Sequence, residues 1–250
     1  WIEQLPSKQQ VGGSSPSGQA IWANATNLQD VWMMLNAIKR LLGGSSSAGP
    51  GDQKKILAAW AKEAGHKVKP VLGPLGGVVV TTDEGWRAEW GSSQRSYISG
   101  HELRLRHESA LPGDVQMLFL TQALAHVLES EVFDSFTDGM QTRIDTAMPD
   151  EMRWLAMHHR MTMSDQPVLN KRFLMVTNAE DVSRRWLGAA FGRALENAAI
   201  DWWVDSLLMV LTVNRGILTL RMSGDDLSLP QLHAVSALFS LAAREISEIE

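Results

Sequence analysis

The residues best suited to chemistry crowd into one stretch, where Arg87, Glu89, Gln94, Arg95, His101, Arg104 and Arg106 surround the segment GSSQRSYISG at 91–100. Guanidinium forks at this density suit phosphate or carboxylate, because each can offer two parallel N–H donors to one oxyanion. With His101 or Glu89 to move a proton, Arg87, Arg95 and Arg104 would describe an enzyme or binding protein for a phosphorylated or acidic small molecule. The plainer reading of the same residues is a solvated strand face with ordinary ion pairs.

A second cluster runs from Met157 to Met163, MHHRMTM. Thioether and imidazole donors together suit Cu(I), so convergence of Met157, His158, Met161 and Met163 would make a copper site. Methionine is also a gap-filler of cores and adaptable interfaces, and no repeated Met motif accompanies this one. No metal ligand and no cofactor is therefore assigned. His101 and His107 flank HELRLRH, roughly 20 Å apart at about 3.3 Å per residue, too far to share a metal. A Walker loop, Gly-x-Gly-x-x-Gly, a Gly-x-Ser-x-Gly elbow and His-Glu-x-x-His are all missing.

Composition narrows the classes further. The absence of cysteine removes disulfides, thiolate metal sites and cysteine nucleophiles, while leaving the chain viable on either side of a bacterial membrane. A net charge of −5 argues against a nucleic-acid partner, which selects a basic face. No run reaches the roughly 18 apolar residues of a membrane span, so any membrane contact would come through a segment outside this chain. Trp1 in place of methionine leads to the expectation of a piece of a longer protein.

The elements that must position these residues follow from periodicity. The strongest architectural signal is a unit written twice. From Val78 to Leu124, and again from Leu207 to Leu241, an apolar run meets a Gly-closed loop (Asp83-Glu84-Gly85, Asn214-Arg215-Gly216). A returning strand and a Leu-Pro pair opening an apolar helix complete each unit. A three-residue loop ending in Gly fits a type I turn with a bulge, whose last residue needs positive φ. Trp86, Ala88 and Trp90 alternate with Arg87 and Glu89, and Leu103 and Leu105 with the charged residues between them, as in half-buried strands. Helices are expected at 28–42, 52–64, 114–136 and 178–198, and from Ser228, which with Gln231 makes a capping box. KPVLGPLGG at 69–77 reads as a Pro/Gly connection.

The fold class is thus α+β, a mainly antiparallel sheet with helices, in two pseudo-repeated hairpin-plus-helix halves. Residues 1–51 read as a flexible tether carrying an amphipathic helix, and 52–250 as the α+β domain, divisible into 52–148 and 165–250. Between its two Gly/Ser linkers the tether helix aligns Leu28, Val31, Trp32, Leu35, Ile38 and Leu42, a stripe fit to dock on a protein surface. The reading favoured over an enzyme is a non-enzymatic protein–protein interaction or assembly domain, the soluble part of a larger bacterial protein. Its partner would be another protein or a second copy of itself.

Overall fold

A computed structural model describes residues 49–71, 76–137, 148–188 and 190–249. The expected tether helix at 28–42 lies outside them. Nine strands form one antiparallel sheet in the order β1-β2-β3-β4-β9-β8-β5-β7-β6. They are β1 (Lys67–Val71), β2 (Gly77–Thr81), β3 (Trp86–Ser92), β4 (His101–Glu108), β5 (Met117–Thr121), β6 (His159–Met161), β7 (Phe173–Thr177), β8 (Met209–Asn214) and β9 (Ile217–Ser223). Seven helices occur among the described residues: α1 (Pro50–Glu63), α2 (Gln122–Thr137), α3 (Asp150–Met157), α4 (Pro167–Arg172), α5 (Glu180–Gly188), α6 (Ala190–Asp201) and α7 (Leu229–Ser247). The class is α+β, as the sequence pattern requires.

Both faces of the sheet carry helices, but unequally. On the first face, Trp86, Trp90, Leu103, Leu220, Phe119 and Met175 meet Trp60 of α1, Trp186 of α5, Leu195 of α6 and Phe239 of α7 in one buried cluster. Each indole at its centre fills a large volume, and several keep a polar contact. Trp186 Nε1 donates to the Ala242 carbonyl at 3.0 Å and Trp90 Nε1 to Gly224 at 2.8 Å. On the second face, α2 and α3 cover the strands at the β8-β5-β7 end, burying Leu118, Leu120, Val176 and Val210 against Leu128, Trp154 and Leu155. The β3-β4-β9 part of that face is charged.

Turn chemistry sets the registers. Gly85 and Gly216 have φ of +82° and +71°, as the turn sequences require. The first hairpin closes on a Thr82-to-Trp86 backbone bond around three residues. The second is tighter. Asn214 pairs directly with Ile217, and Arg215 joins Gly216 at positive φ (+52°), giving a two-residue loop of type I′ form.

Three expectations need correction. Residues 117–121 form a central strand paired to β7 and β8, where a helix from Asp114 was expected. A strand buried on both faces shows an unbroken apolar run, which the four-residue step of Leu120, Leu124, Leu128 and Val132 then disguised as helix. Leu111-Pro112 consequently precedes a turn and a strand, whereas Leu229-Pro230 opens α7, so the two written-twice units differ at that step. Lys67–Val71 is an edge strand, not a connection; its Lys67, Lys69 and Pro70 are the residues that discourage edge-to-edge pairing. Finally, the helix expected over 178–198 is divided into α5 and α6 and starts at Glu180. Asn178, which a helix beginning there would use as its N-cap, bridges backwards, accepting from Gln116 N (2.8 Å) and donating to Asp114 O (2.8 Å). The first turn after it is instead secured by Thr177 Oγ1, which accepts from Ala179 N at 2.9 Å.

Candidate functional site

The charged face is built by alternation. In β3, β4 and β9 the apolar residues point to the main core, which leaves Arg87, Glu89, Glu102, Arg104, Arg106, Thr219 and Arg221 on the other side. The register then places like charges opposite each other: Arg87 against Arg106, and Arg104 against Arg221. Directly opposed like charges destabilise a sheet. Two glutamates offset the repulsion, Glu89 directly opposite Arg104 and Glu102 diagonal to Arg221. Glu89 lies 2.7 Å from Arg87 Nε, 3.1 Å from Arg104 Nη2 and 4.0 Å from Arg106 Nη1. Glu102, fully buried, accepts both Arg221 Nη1 contacts (3.0 and 3.2 Å) and lies 3.2 Å from Arg104 Nε. Burial pulls the Arg104 guanidinium below its ordinary pKa, opposed by Glu102 and Glu89.

The ladder ends on α3. Glu151, in its first turn and almost fully buried, accepts the Arg95 Nε–H, bifurcated at 3.0 Å to each carboxylate oxygen. It also accepts the Tyr97 hydroxyl at 3.1 Å and lies 3.6 Å from Arg221 Nε. Arg95 and Tyr97 belong to the 91–100 segment, which folds tightly through Ser93, whose Oγ donates to Arg95 O and accepts from Arg95 N. Tyr97 and Ile98 are buried in the second core beside Met152 and Trp154. The segment therefore serves first as a cover for the sheet.

Burial, followed by the neighbouring Glu151 carboxylate, pushes the Tyr97 hydroxyl well above the usual tyrosine range. A raised folded-state pKa favours the native state fully below the unfolded value, about 10, and loses that advantage as pH rises beyond it. Stability is therefore expected to fall above about pH 10. Because Tyr97 is the single tyrosine of the chain, the tyrosinate absorbance band should appear together with loss of native tryptophan fluorescence. Tyrosinate formation in the folded protein, ahead of unfolding, would contradict the assignment. Tyr97→Phe should flatten the alkaline limb.

Of the residues singled out from sequence, Arg87, Glu89, Gln94 and Arg104 come together, Gln94 Oε1 accepting from Arg104 Nη1. Arg95 joins them through Glu151 and Arg221. His101 does not. It leans to the main core side, stacked on Trp90 (4.5 Å, 4°) with Nδ1 2.7 Å from Asp225 Oδ1, so it cannot serve the arginines as acid or base. His107, at the other end of β4, pairs with Ser247 Oγ at 2.9 Å. Around 157–163, Met161 and Met163 are buried in the main core while Met157 is exposed. His158 Nε2 meets Gln116 at 2.6 Å, and desolvation lowers its pKa. Among the described residues no group of three or more His, Asp or Glu could hold a metal ion. No helix among them is long and apolar enough to cross a membrane.

Sequence reasoning missed Glu151, Glu102, Arg215 and Arg221. Arg221 was visible as the polar partner in LTLRM. Glu102 sat on the polar side of HELRLR, with nothing in the sequence to mark it as buried. Together, the six cations Arg87, Arg95, Arg104, Arg106, Arg215 and Arg221 stand against the five anions Glu89, Glu102, Glu108, Asp150 and Glu151, a small surplus of cation in a chain of net charge −5. Two shallow hollows cross this region. One of about 260 Å³ is lined by Thr81, Arg87 and Glu108; the other, of about 250 Å³, by Arg95, Thr212 and Arg221. Arg106 and Ile217 line both, so the hollows adjoin.

No known protein family and no curated protein matches the chain. Among solved structures it is similar to the crystal structure of the mycobacterial trehalose monomycolate transport factor A, TtfA. The identity is 9% and the TM-score 0.43, over 79% of this chain and 95% of that one. A likeness this distant carries no argument about function.

Proposed function

We propose that the chain is a non-enzymatic interaction domain whose charged sheet face receives an acidic, extended segment of a partner protein. The observation that carries this reading is the arginine surplus on the β3-β4-β9 face of an otherwise acidic chain. Its members are fixed by a carboxylate ladder, and they line adjoining open hollows instead of an enclosed cavity. An enzyme on a small acidic substrate would need an acid or base beside the arginines. Of the two groups nominated for that role, His101 is turned to the other side of β4, and Glu89 is engaged by Arg87, Arg104 and Arg106.

A fluorescein-labelled Glu-rich peptide, with its Gln counterpart as control, tests the reading by anisotropy. Wild-type protein should bind the Glu peptide, and binding should weaken at high salt as exposed charges are screened. Arg87→Gln combined with Arg106→Gln should weaken it roughly 5- to 30-fold, at about 0.5–1 kcal/mol for each rim charge removed. Equal affinity for the Glu and Gln peptides, or none for either, would sink the proposal.

A further inference from the structure

We infer that the hollow between the first turn of α3 and the β8–β9 turn is a carboxylate pocket that takes one acidic side chain, or a chain-terminal carboxylate, of the partner, with Arg215 as its principal donor. This rests on the acidic-partner reading and makes it specific.

The argument turns on which donors are already engaged. Arg95 and Arg221 reach the hollow, but Glu151 and Glu102 hold them. Asp150 is likewise occupied, pairing with Arg153 and accepting from Asn214 Nδ2 at 3.1 Å. What remains is Arg106, with only a 4.0 Å contact to Glu89, and Arg215, which makes no ion pair among the described residues. Beside them, Thr212 and Thr219 face each other across β8 and β9, and both line the hollow. Neither hydroxyl makes a hydrogen bond among the described residues. Arg215, unpaired among the described residues, and Arg106, only loosely paired, thus line the same hollow as two hydroxyls, a set of donors for a single oxyanion.

The backbone supplies an independent sign. Arg215 has φ of +52° in a slot that suits Asn, Asp or Gly. A side chain kept where another residue fits the turn better points to a role outside folding. The turn is also held in place, because Ser109 donates to the Gly216 carbonyl from both N (2.7 Å) and Oγ (3.0 Å). The donor is thus presented from a fixed backbone.

Size and charge choose the ligand class. About 250 Å³ is smaller than the roughly 300–1,000 Å³ typical of whole-ligand pockets, so the hollow fits a side chain better than a metabolite. Asp150 and Glu151 on the wall repel any anion, and a phosphate dianion about twice as strongly as a carboxylate.

The test is Arg215→Asn, with Thr219→Val as a second, shape-conserving variant. Asn suits the turn, so Arg215→Asn should leave Tm unchanged or raised while weakening the Glu-rich peptide by roughly tenfold. Thr219→Val should weaken it several-fold. Amidating the peptide's C-terminus distinguishes the two carboxylate sources: a loss of binding assigns the pocket to the terminal carboxylate, and no loss assigns it to a side chain. If Arg215→Asn and Thr219→Val bind like wild type while Arg87→Gln/Arg106→Gln does not, the pocket is refuted and the face reading stands. If wild type does not prefer Glu to Gln peptide, the face reading itself fails. Stronger competition by inorganic phosphate than by acetate at equal concentration would overturn the carboxylate class.

Discussion

Glu151→Ala is expected to destabilise the domain by about 3–5 kcal/mol, the cost of removing one partner from a buried charge pair. At roughly 2–4 °C per kcal/mol for a domain of this size, Tm should fall by about 10 °C. The reason is local and specific. Glu151, itself almost fully buried, takes the bifurcated Arg95 Nε–H, the Tyr97 hydroxyl and the approach of Arg221 Nε. Without it, the Arg95 guanidinium loses its counter-charge, Arg221 is left with Glu102 alone, and a buried hydroxyl loses its acceptor. Glu151→Gln keeps the shape and an acceptor for Tyr97, and should cost about half as much. Adding Arg95→Met to Glu151→Ala should cost less than the sum of the two single changes, because the second removes a charge that the first has stranded. A loss below about 1 kcal/mol for Glu151→Ala would show that the ladder is not a unit.

Two glycines one helical turn apart should respond with opposite signs. Gly192 lies at the start of α6, where an added Cβ would collide with the Leu187 carbonyl oxygen and Gln166 Nε2. That same carbonyl accepts the Gln166 amide at 2.5 Å, which ties the end of α5 to the 163–167 turn. Gly192→Ala must move backbone and break that bond, at about 2–4 kcal/mol in all. Gly188 has nothing within 4 Å of the same position and a φ that any residue adopts. Gly188→Ala should therefore stabilise by about 0.5–1 kcal/mol, through helix propensity and a less disordered unfolded chain. Chemical denaturation of the two variants reads both signs, and equal effects would contradict the close approach at Gly192.

How much of this was legible in the sequence depends on how far each signal was local. The hairpin glycines, the alternation in WRAEW and HELRLR and the Ser228 N-cap were all readable, and each appears in the structure; of the capping box only this N-cap half forms. Ser228 Oγ accepts from Gln231 N at 3.4 Å. Each is a rule about neighbours in the chain, enforced by backbone geometry. β5 was not readable, because its identity as a central strand depends on β7 and β8, which join it from far along the chain. The same holds for the site. The arginines of 87–106 were visible as a group, but their order comes from Arg221 and Glu151, which no local pattern connects to them. His101 was misassigned against a local signal: alternation along β4 puts it on the core side with Leu103 and Leu105, where Asp225 then holds it.

The most direct test of the charged face as a partner-binding surface is a titration of isotope-labelled protein with the Glu-rich peptide, followed by backbone and Arg Nε–H resonances. The account predicts shifts on β3, β4, β9 and the β8–β9 turn, led by Arg87, Arg106 and Arg215, with α1 and α7 undisturbed. Shifts centred on α1 or α7, or an equal response to the Gln peptide, would contradict it.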